Sequence, residues 1–176
     1  MIQLIAQAIG FLALLFVLLS FQKNKRYLIL LFMLVAQILF TIHFGLLGAW
    51  TGAAMNGIAG LRTYIFNQRE TKTWSNNQFW LYLFVVLFWV FGIVTWNGYY
   101  SILPILAMTI DSSAVWNKKT QYIRLLMLIP RPLWFVYNYT VVSYAGMITE
   151  IFVLFSILVG IIRFDILATR KKQNRF

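Results

Sequence analysis

Residue types that do chemistry are scarce in this chain of 176 residues. It has no cysteine, a single histidine (His43) and four acids, Glu70, Asp111, Glu150 and Asp165. That inventory excludes thiol catalysis and Cys- or His-rich metal cages. The acids form no paired-carboxylate motif, and no glycine-rich phosphate loop is present. No enzyme activity, cofactor or metal is therefore expected. A different chemistry is open to Gln37, Asn56, Arg131 and Glu150, each of which stands inside a long apolar run. Polar and ionisable groups in hydrocarbon are costly and mark substrate or ion pathways by default. Arg131 and Glu150 are the natural ion pair. Two readings of that pair stand side by side: a solute or proton-coupling site, or a salt bridge that fixes helix packing. Trp134 and Tyr137 offer stacking surfaces for a solute close to Arg131. Arg131 also lies within Pro130-Arg131-Pro132, and two prolines at mid-helix remove backbone donors and kink or break it. Broken helices are pointers to binding sites in transporters. Pro104 adds a second expected kink, so Pro104, Pro130 and Pro132 are the candidate hinges.

The elements that must position these residues follow from composition. The chain is 61% hydrophobic, 18% aromatic and 11% charged, with a mean hydropathy of +0.78. A soluble domain carries about a quarter charged residues. Soluble enzymes, nucleic-acid binders and disordered tails are thus disfavoured, and continuous apolar runs exclude the alternating pattern of a membrane barrel. A helical span needs about 20 mostly apolar residues. On that ruler seven spans are expected: Ile2–Phe21, Tyr27–Phe44, Leu46–Phe66, Gln78–Trp96, Tyr99–Trp116, Tyr122–Asn138 and Val141–Ile162. Gly45 and Gly48 argue for a chain reversal between the second and third. Arg131 lies nine residues beyond Tyr122 and Glu150 nine beyond Val141, which places each about 14 Å into its span at about 1.5 Å per residue. In a hydrocarbon core about 30 Å thick that is close to the midplane. Gln37 and Asn56 reach the same level by the same count.

The net charge of +11 has a matching explanation. Lys23, Lys25 and Arg26 follow the first span, and Arg62, Arg69 and Lys72 close the third. Lys118, Lys119 and Arg124 follow the fifth, and Arg163, Arg170, Lys171, Lys172 and Arg175 form the tail. With seven alternating spans, every one of the 15 basic residues except Arg131 falls on one face. Basic loops are cytoplasmic, so the N-terminus is expected outside and the tail inside. No nucleic-acid partner is needed to account for the charge. The first span has no basic stretch ahead of it and reads as a retained anchor rather than a cleavable signal. Asp111, near the inner end of the fifth span, is expected to pair with Lys118 or Lys119. His43 reads as structural, with an outer gate or pH sensor as the alternative. Gly48, Gly52, Asn56 and Gly60 form a ladder that permits close helix approach.

A shift of 94 positions superimposes spans one to three on five to seven without a gap. Leu12/Leu106, Ala13/Ala107, Lys25/Lys119, Met33/Met127 and Gly52/Gly146 are among the identical pairs. Gln37 aligns with Arg131, His43 with Tyr137 and Asn56 with Glu150, so polar positions recur at matching depths. The fold class expected is an all-α integral membrane protein of seven transmembrane helices. Two parallel three-helix repeats, residues 1–66 and 98–166, flank a cytoplasmic loop and an inversion linker helix in 67–97. A basic cytoplasmic tail, 167–176, follows. The linker, with Phe79, Trp80, Tyr82, Phe84, Phe88, Trp89 and Phe91, reads as lipid-facing.

The stretch Phe21-Gln22-Lys23-Asn24-Lys25-Arg26, then His43-Phe44-Gly45-Leu46-Leu47-Gly48-Ala49, then Met55-Asn56 and Arg62, resembles the YgjV-type bacterial inner-membrane proteins. The resemblance implies a multi-pass protein of the bacterial plasma membrane and supplies no activity. The 3+1+3 plan is more distantly similar to the SWEET/PQ-loop and nicotinamide-riboside transporter folds, although the Pro-Gln dipeptide of the PQ-loop group is absent. The expected function is a small-solute transporter or facilitator with a midplane site made by Gln37, Asn56, Arg131, Trp134, Tyr137 and Glu150. Its partners would be the lipid bilayer and a small polar or aromatic solute. A non-transporting accessory membrane protein is the alternative.

Overall fold

The computed structural model describes residues 1–21, 26–117 and 120–166. Lys23, Lys25, Lys118, Lys119 and the 167–176 tail, with its four basic residues, lie outside them. In chain order the helices are α1 (Ile2–Phe21), α2 (Arg26–Leu46), α3 (Trp50–Asn67), α4 (Phe79–Val94), α5 (Ile102–Trp116), α6 (Thr120–Met127), α7 (Pro130–Thr140) and α8 (Tyr144–Gly160). Short 3-10 turns join α3 to α4 and precede α5, and a π-helical turn, Ile161–Ile166, follows α8. No strand occurs among the described residues. Among the described residues, three helical segments are long and apolar enough to cross a membrane: Ile2–Ser20, Tyr27–Leu46 and Tyr144–Arg163. Leu4, Ile38, Val86 and Phe155 are exposed on these helices and α4, and such uncovered apolar faces suit contact with lipid.

Helix ends follow local chemistry. α2 stops because Gly48 adopts φ +69°, the left-handed conformation that glycine enters without a Cβ clash. The Ala49 N–H bonds back to the Phe44 carbonyl at 2.9 Å and closes the turn. Gly48 therefore shapes the reversal instead of belonging to the ladder, which on α3 reduces to Gly52, Asn56 and Gly60. A Cβ added at Gly52 would stand 2.8 Å from the Tyr137 ring, whereas one at Gly60 would meet Leu34 of α2 at 3.5 Å. The ladder thus serves both its own triple and the opposite one.

The sixth expected span is two helices. α6 ends at Met127, and Pro130 opens α7 at its first position, where no N–H is required. The Leu128 and Ile129 N–H groups bond the Leu125 and Leu126 carbonyls at 3.3 Å and tighten the intervening turn. Pro132 falls in the same first turn of α7. The kink expected at Pro104 is absent for the same reason: α5 begins at Ile102, so this proline also occupies a first turn. α4 departs from its expectation too. Phe84, Phe88 and Gly92, one turn apart, are buried rather than lipid-facing. Phe84 meets Phe66 edge-on at 5.8 Å, and a side chain at Gly92 would collide with Ile105.

α1 packs on α2 and α2 on α3; α5 packs on α7 and α7 on α8. The two triples meet through α1 against α8 and α3 against α5, with α4 bridging α3 and α5. At the end carrying the short loops, side chains cross from each triple to the other. His43 is fully buried, and its Nδ1 lies 2.6 Å from the Ala6 carbonyl. A carbonyl only accepts, so Nδ1 carries the proton and Nε2 accepts from the Ser143 hydroxyl at 2.7 Å. Ser143 caps α8 by accepting from the Gly146 N–H. In the other direction the Tyr137 hydroxyl accepts from the Gly52 N–H at 2.7 Å, inside the first turn of α3. Gln7 donates to the Val142 carbonyl at 2.7 Å. Thr51 gives its single hydroxyl proton to the Thr95 carbonyl at 2.6 Å, so it accepts from the Ser101 hydroxyl at 3.1 Å.

Candidate functional site: an ionic cavity between the helix triples

Below that closed end lies a cavity of about 230 Å³, with walls from both triples. Phe40, Phe44 and Trp134 form its upper part, and Phe44 and Trp134 stack with centroids 6.0 Å apart. At its lower end Val17, Leu30, Val115 and Met127 are only half-buried. Gln37, Asn56, Arg62, Asp111, Arg131 and Glu150 supply the polar and charged walls between.

Arg131 is the hub of these polar groups. Its Nη1 donates to Glu150 Oε2 at 3.1 Å and its Nη2 to Asp111 Oδ2 at 2.6 Å. Its Nε donates to the Met127 carbonyl at 3.2 Å, on the last residue of α6. The helix break thus leaves a carbonyl facing the guanidinium and helps fix its plane. The pair expected between Arg131 and Glu150 forms, but Asp111 completes a triad. This corrects the expectation that Asp111 pairs with loop lysines: it is buried, turned inward, and closer to Arg131 than Glu150 is.

A second arginine was missed. Arg62 reads in sequence as an orienting cation at the end of the third span, yet it is 5% exposed and lines the cavity. Its Nη1 donates to Ser112 Oγ at 2.7 Å, and its guanidinium lies 5.6 Å from the Phe88 ring centroid. The contact with Ser112, next to Asp111, joins Arg62 to the triad. The available signal was its place four residues inside Phe66, about 6 Å from the span's end at about 1.5 Å per residue. Among the described residues, four buried side-chain atoms lack a hydrogen-bond partner: Gln37 Oε1, Arg62 Nε, Asp111 Oδ1 and Asn138 Oδ1. All four residues line this cavity.

Residues 4–167 match the model of the Imp-YgjV family, described as bacterial inner membrane protein. The chain belongs to the Imp-YgjV family. It is accordingly a bacterial inner-membrane protein, in contact with the bilayer through its apolar helices. No curated protein and no solved structure matches it.

Of the residues singled out in sequence, this Imp-YgjV chain brings Gln37, Asn56, Arg131, Trp134 and Glu150 to one cavity. Asn56 donates to the Gly52 carbonyl at 3.0 Å, which orients its amide along α3. Tyr137 is buried beside Trp134 but is not among the lining residues, because its hydroxyl is committed to Gly52. Pro130 and Pro132 flank Arg131 in the first turn of α7, just past the break, and Pro104 stands apart in the first turn of α5. Among the described residues, no group of three or more His, Cys, Asp or Glu could hold a metal ion.

Proposed function

We propose that this Imp-YgjV protein is a small-solute transporter or facilitator that binds its solute in the cavity between the two helix triples. Arg131, Glu150, Asp111 and Arg62 form the polar wall, Gln37 and Asn56 add amide contacts, and Trp134 supplies a stacking face. The observation that carries this reading is the cavity itself, at the depth of a charged triad. An accessory protein using Arg131 and Glu150 only to fasten helices needs no such space, and close packing around the pair removes more apolar surface from lipid and water.

In this reading α3, α4, α5 and the broken α6–α7 also cross the bilayer, giving seven passes. The two triples, 1–66 and 98–166, are parallel repeats around the α4 linker in 67–97. Support comes from the cross-contacts at the short-loop end. Positions 43 and 137 are repeat equivalents, and so are 49 and 143. His43 reaches Ser143, while the Tyr137 hydroxyl lies 3.5 Å from the Ala49 carbonyl. Positions 7 and 101, and 51 and 145, are likewise equivalent: the Ala145 N–H donates to Gln7, and the Ser101 hydroxyl donates to that of Thr51. Reciprocal contacts of this kind are expected of a two-fold relation between repeats, as in SWEET-like plans. With basic loops inside, the N-terminus is outside and the latched end faces outward. Arg62 leaves the set of orienting charges, since it points into the cavity.

Uptake into proteoliposomes tests the proposal. A solute should accumulate above empty vesicles, and Arg131→Ala/Glu150→Ala should abolish the difference. Normal uptake by the double variant would remove these two residues from the site. Wild-type protein indistinguishable from empty vesicles across a metabolite panel would count against transport.

A further inference from the structure

We infer that the cavity selects an uncharged solute whose polar edge carries N–H donors beside one hydrogen-bond acceptor, as a primary carboxamide does, on an apolar body. The inference rests on the reading of the cavity as a solute site and adds the class of ligand. Two observations carry it. The first is the set of unmatched polar atoms. Asp111 Oδ1 accepts no hydrogen bond and Arg62 Nε donates none, although both residues are more than nine-tenths buried in the cavity wall. Neither atom can change its role by an amide flip: a carboxylate accepts and a guanidinium donates. Arg62 is held on Ser112, the residue after Asp111 on α5, and both Arg62 and Asp111 line the cavity. Gln37 Oε1 from α2 and Asn138 Oδ1 from α7 add further unmatched acceptors. Leaving such groups unsatisfied is unfavourable, and a ligand that satisfies them recovers that cost.

The second observation is the charge balance. Arg62 and Arg131 face Asp111 and Glu150, which sum formally to zero, and Arg131 is already shared between both carboxylates. A ligand of either sign adds a buried charge without a counter-charge, which is expensive. An anion would find one free donor and three free acceptors that repel it. A cation would satisfy the acceptors but leave Arg62 Nε–H unmet. An amide edge satisfies both kinds at no net charge. The rest of the wall, including Phe40, Phe44, Met33 and Met108, suits an aromatic or aliphatic body.

The test uses three probes with one body: benzamide, benzoate and benzylammonium, titrated into detergent-purified full-length protein at neutral pH. Ligand-observed NMR reads binding and thermal shift reads stabilisation. Benzamide should bind at least about fivefold more tightly than either ion, the discrimination expected from one unpaired buried group. Equal binding of all three, tighter binding of either ion, or no benzamide binding overturns the proposal. Charge variants give an independent readout. Asp111→Asn leaves the site one positive charge in excess and should move the preference toward benzoate. Arg62→Gln leaves one negative charge in excess and should move it toward benzylammonium. Unchanged ranking in folded variants contradicts the assignment. Benzamide binding without uptake of any solute would keep this inference and remove transport; uptake of a solute with no benzamide preference would do the reverse.

Discussion

α2 and the α6–α7 pair occupy equivalent places in the two triples, yet they are built differently. α2 runs unbroken for 21 residues and carries Gln37 at its centre. Its counterpart is split at Leu128–Ile129 and carries Arg131 just past the split. The neutral amide tolerates a partly unmatched state. The guanidinium requires two carboxylates and a carbonyl, and the split provides the carbonyl. The helix is interrupted where a charge has to be held in an apolar interior. At the short-loop end the two elements behave alike, since His43 and Tyr137 each reach across to the opposite triple.

The largest break in this comparison comes from Arg131→Leu. It strands Asp111 and Glu150 as buried acids, and a loss of about 3–5 kcal/mol is expected in thermal unfolding in detergent. Gln37→Leu, at the equivalent place, removes an atom without a partner and should be neutral or stabilising, because burying an unmatched acceptor is itself unfavourable. Equal losses for the two would dissolve the contrast. The likeness of the latches is tested next. Tyr137→Phe leaves the Gly52 N–H unpaired and should cost about 1–3 kcal/mol, and His43→Phe should fall in the same range. A neutral Tyr137→Phe would remove the latch on that side. Pro130→Ala should change stability by less than about 1 kcal/mol, because the proline occupies a first-turn position and affects mainly the unfolded chain. A much larger gain would mean that the proline imposes the break against the helix's preference.

The smallest effect is at the basic-loop end. Arg124 Nε donates to Asp165 Oδ2 at 2.9 Å, and this bond holds the Asp165 carboxyl below its ordinary range. A depressed carboxyl stabilises above its unfolded value and loses that contribution as pH falls through the folded one. Asp165→Asn should therefore lower the melting temperature slightly at neutral pH and leave it unchanged in acid. A difference that persists in acid would assign Asp165 a role beyond its charge.

Much of this was legible in sequence. Apolar run length located the helices, Gly45 and Gly48 the reversal, Pro130 and Pro132 the split, and depth counting the Arg131–Glu150 pair. Arg62 and Asp111 were not legible as site residues. Both lie near span ends, where charge count cannot distinguish a side chain turned toward water from one turned inward. Phe84 and Phe88 escaped for a related reason: an all-apolar helix has no polar face to show which side is buried. Pro104 was misread because a shift of three residues in the start of α5 turns a mid-helix proline into a first-turn one.

The central claim is that the cavity is reached by water-soluble molecules at the level of Arg131. With no native cysteine in the chain, a Thr149→Cys variant places a single thiol in the cavity wall beside Glu150. Labelling with a membrane-impermeant maleimide, in vesicles of each orientation, reads access directly. The account predicts modification from the basic-loop face. A thiol that reacts from neither face until the protein is unfolded would contradict it.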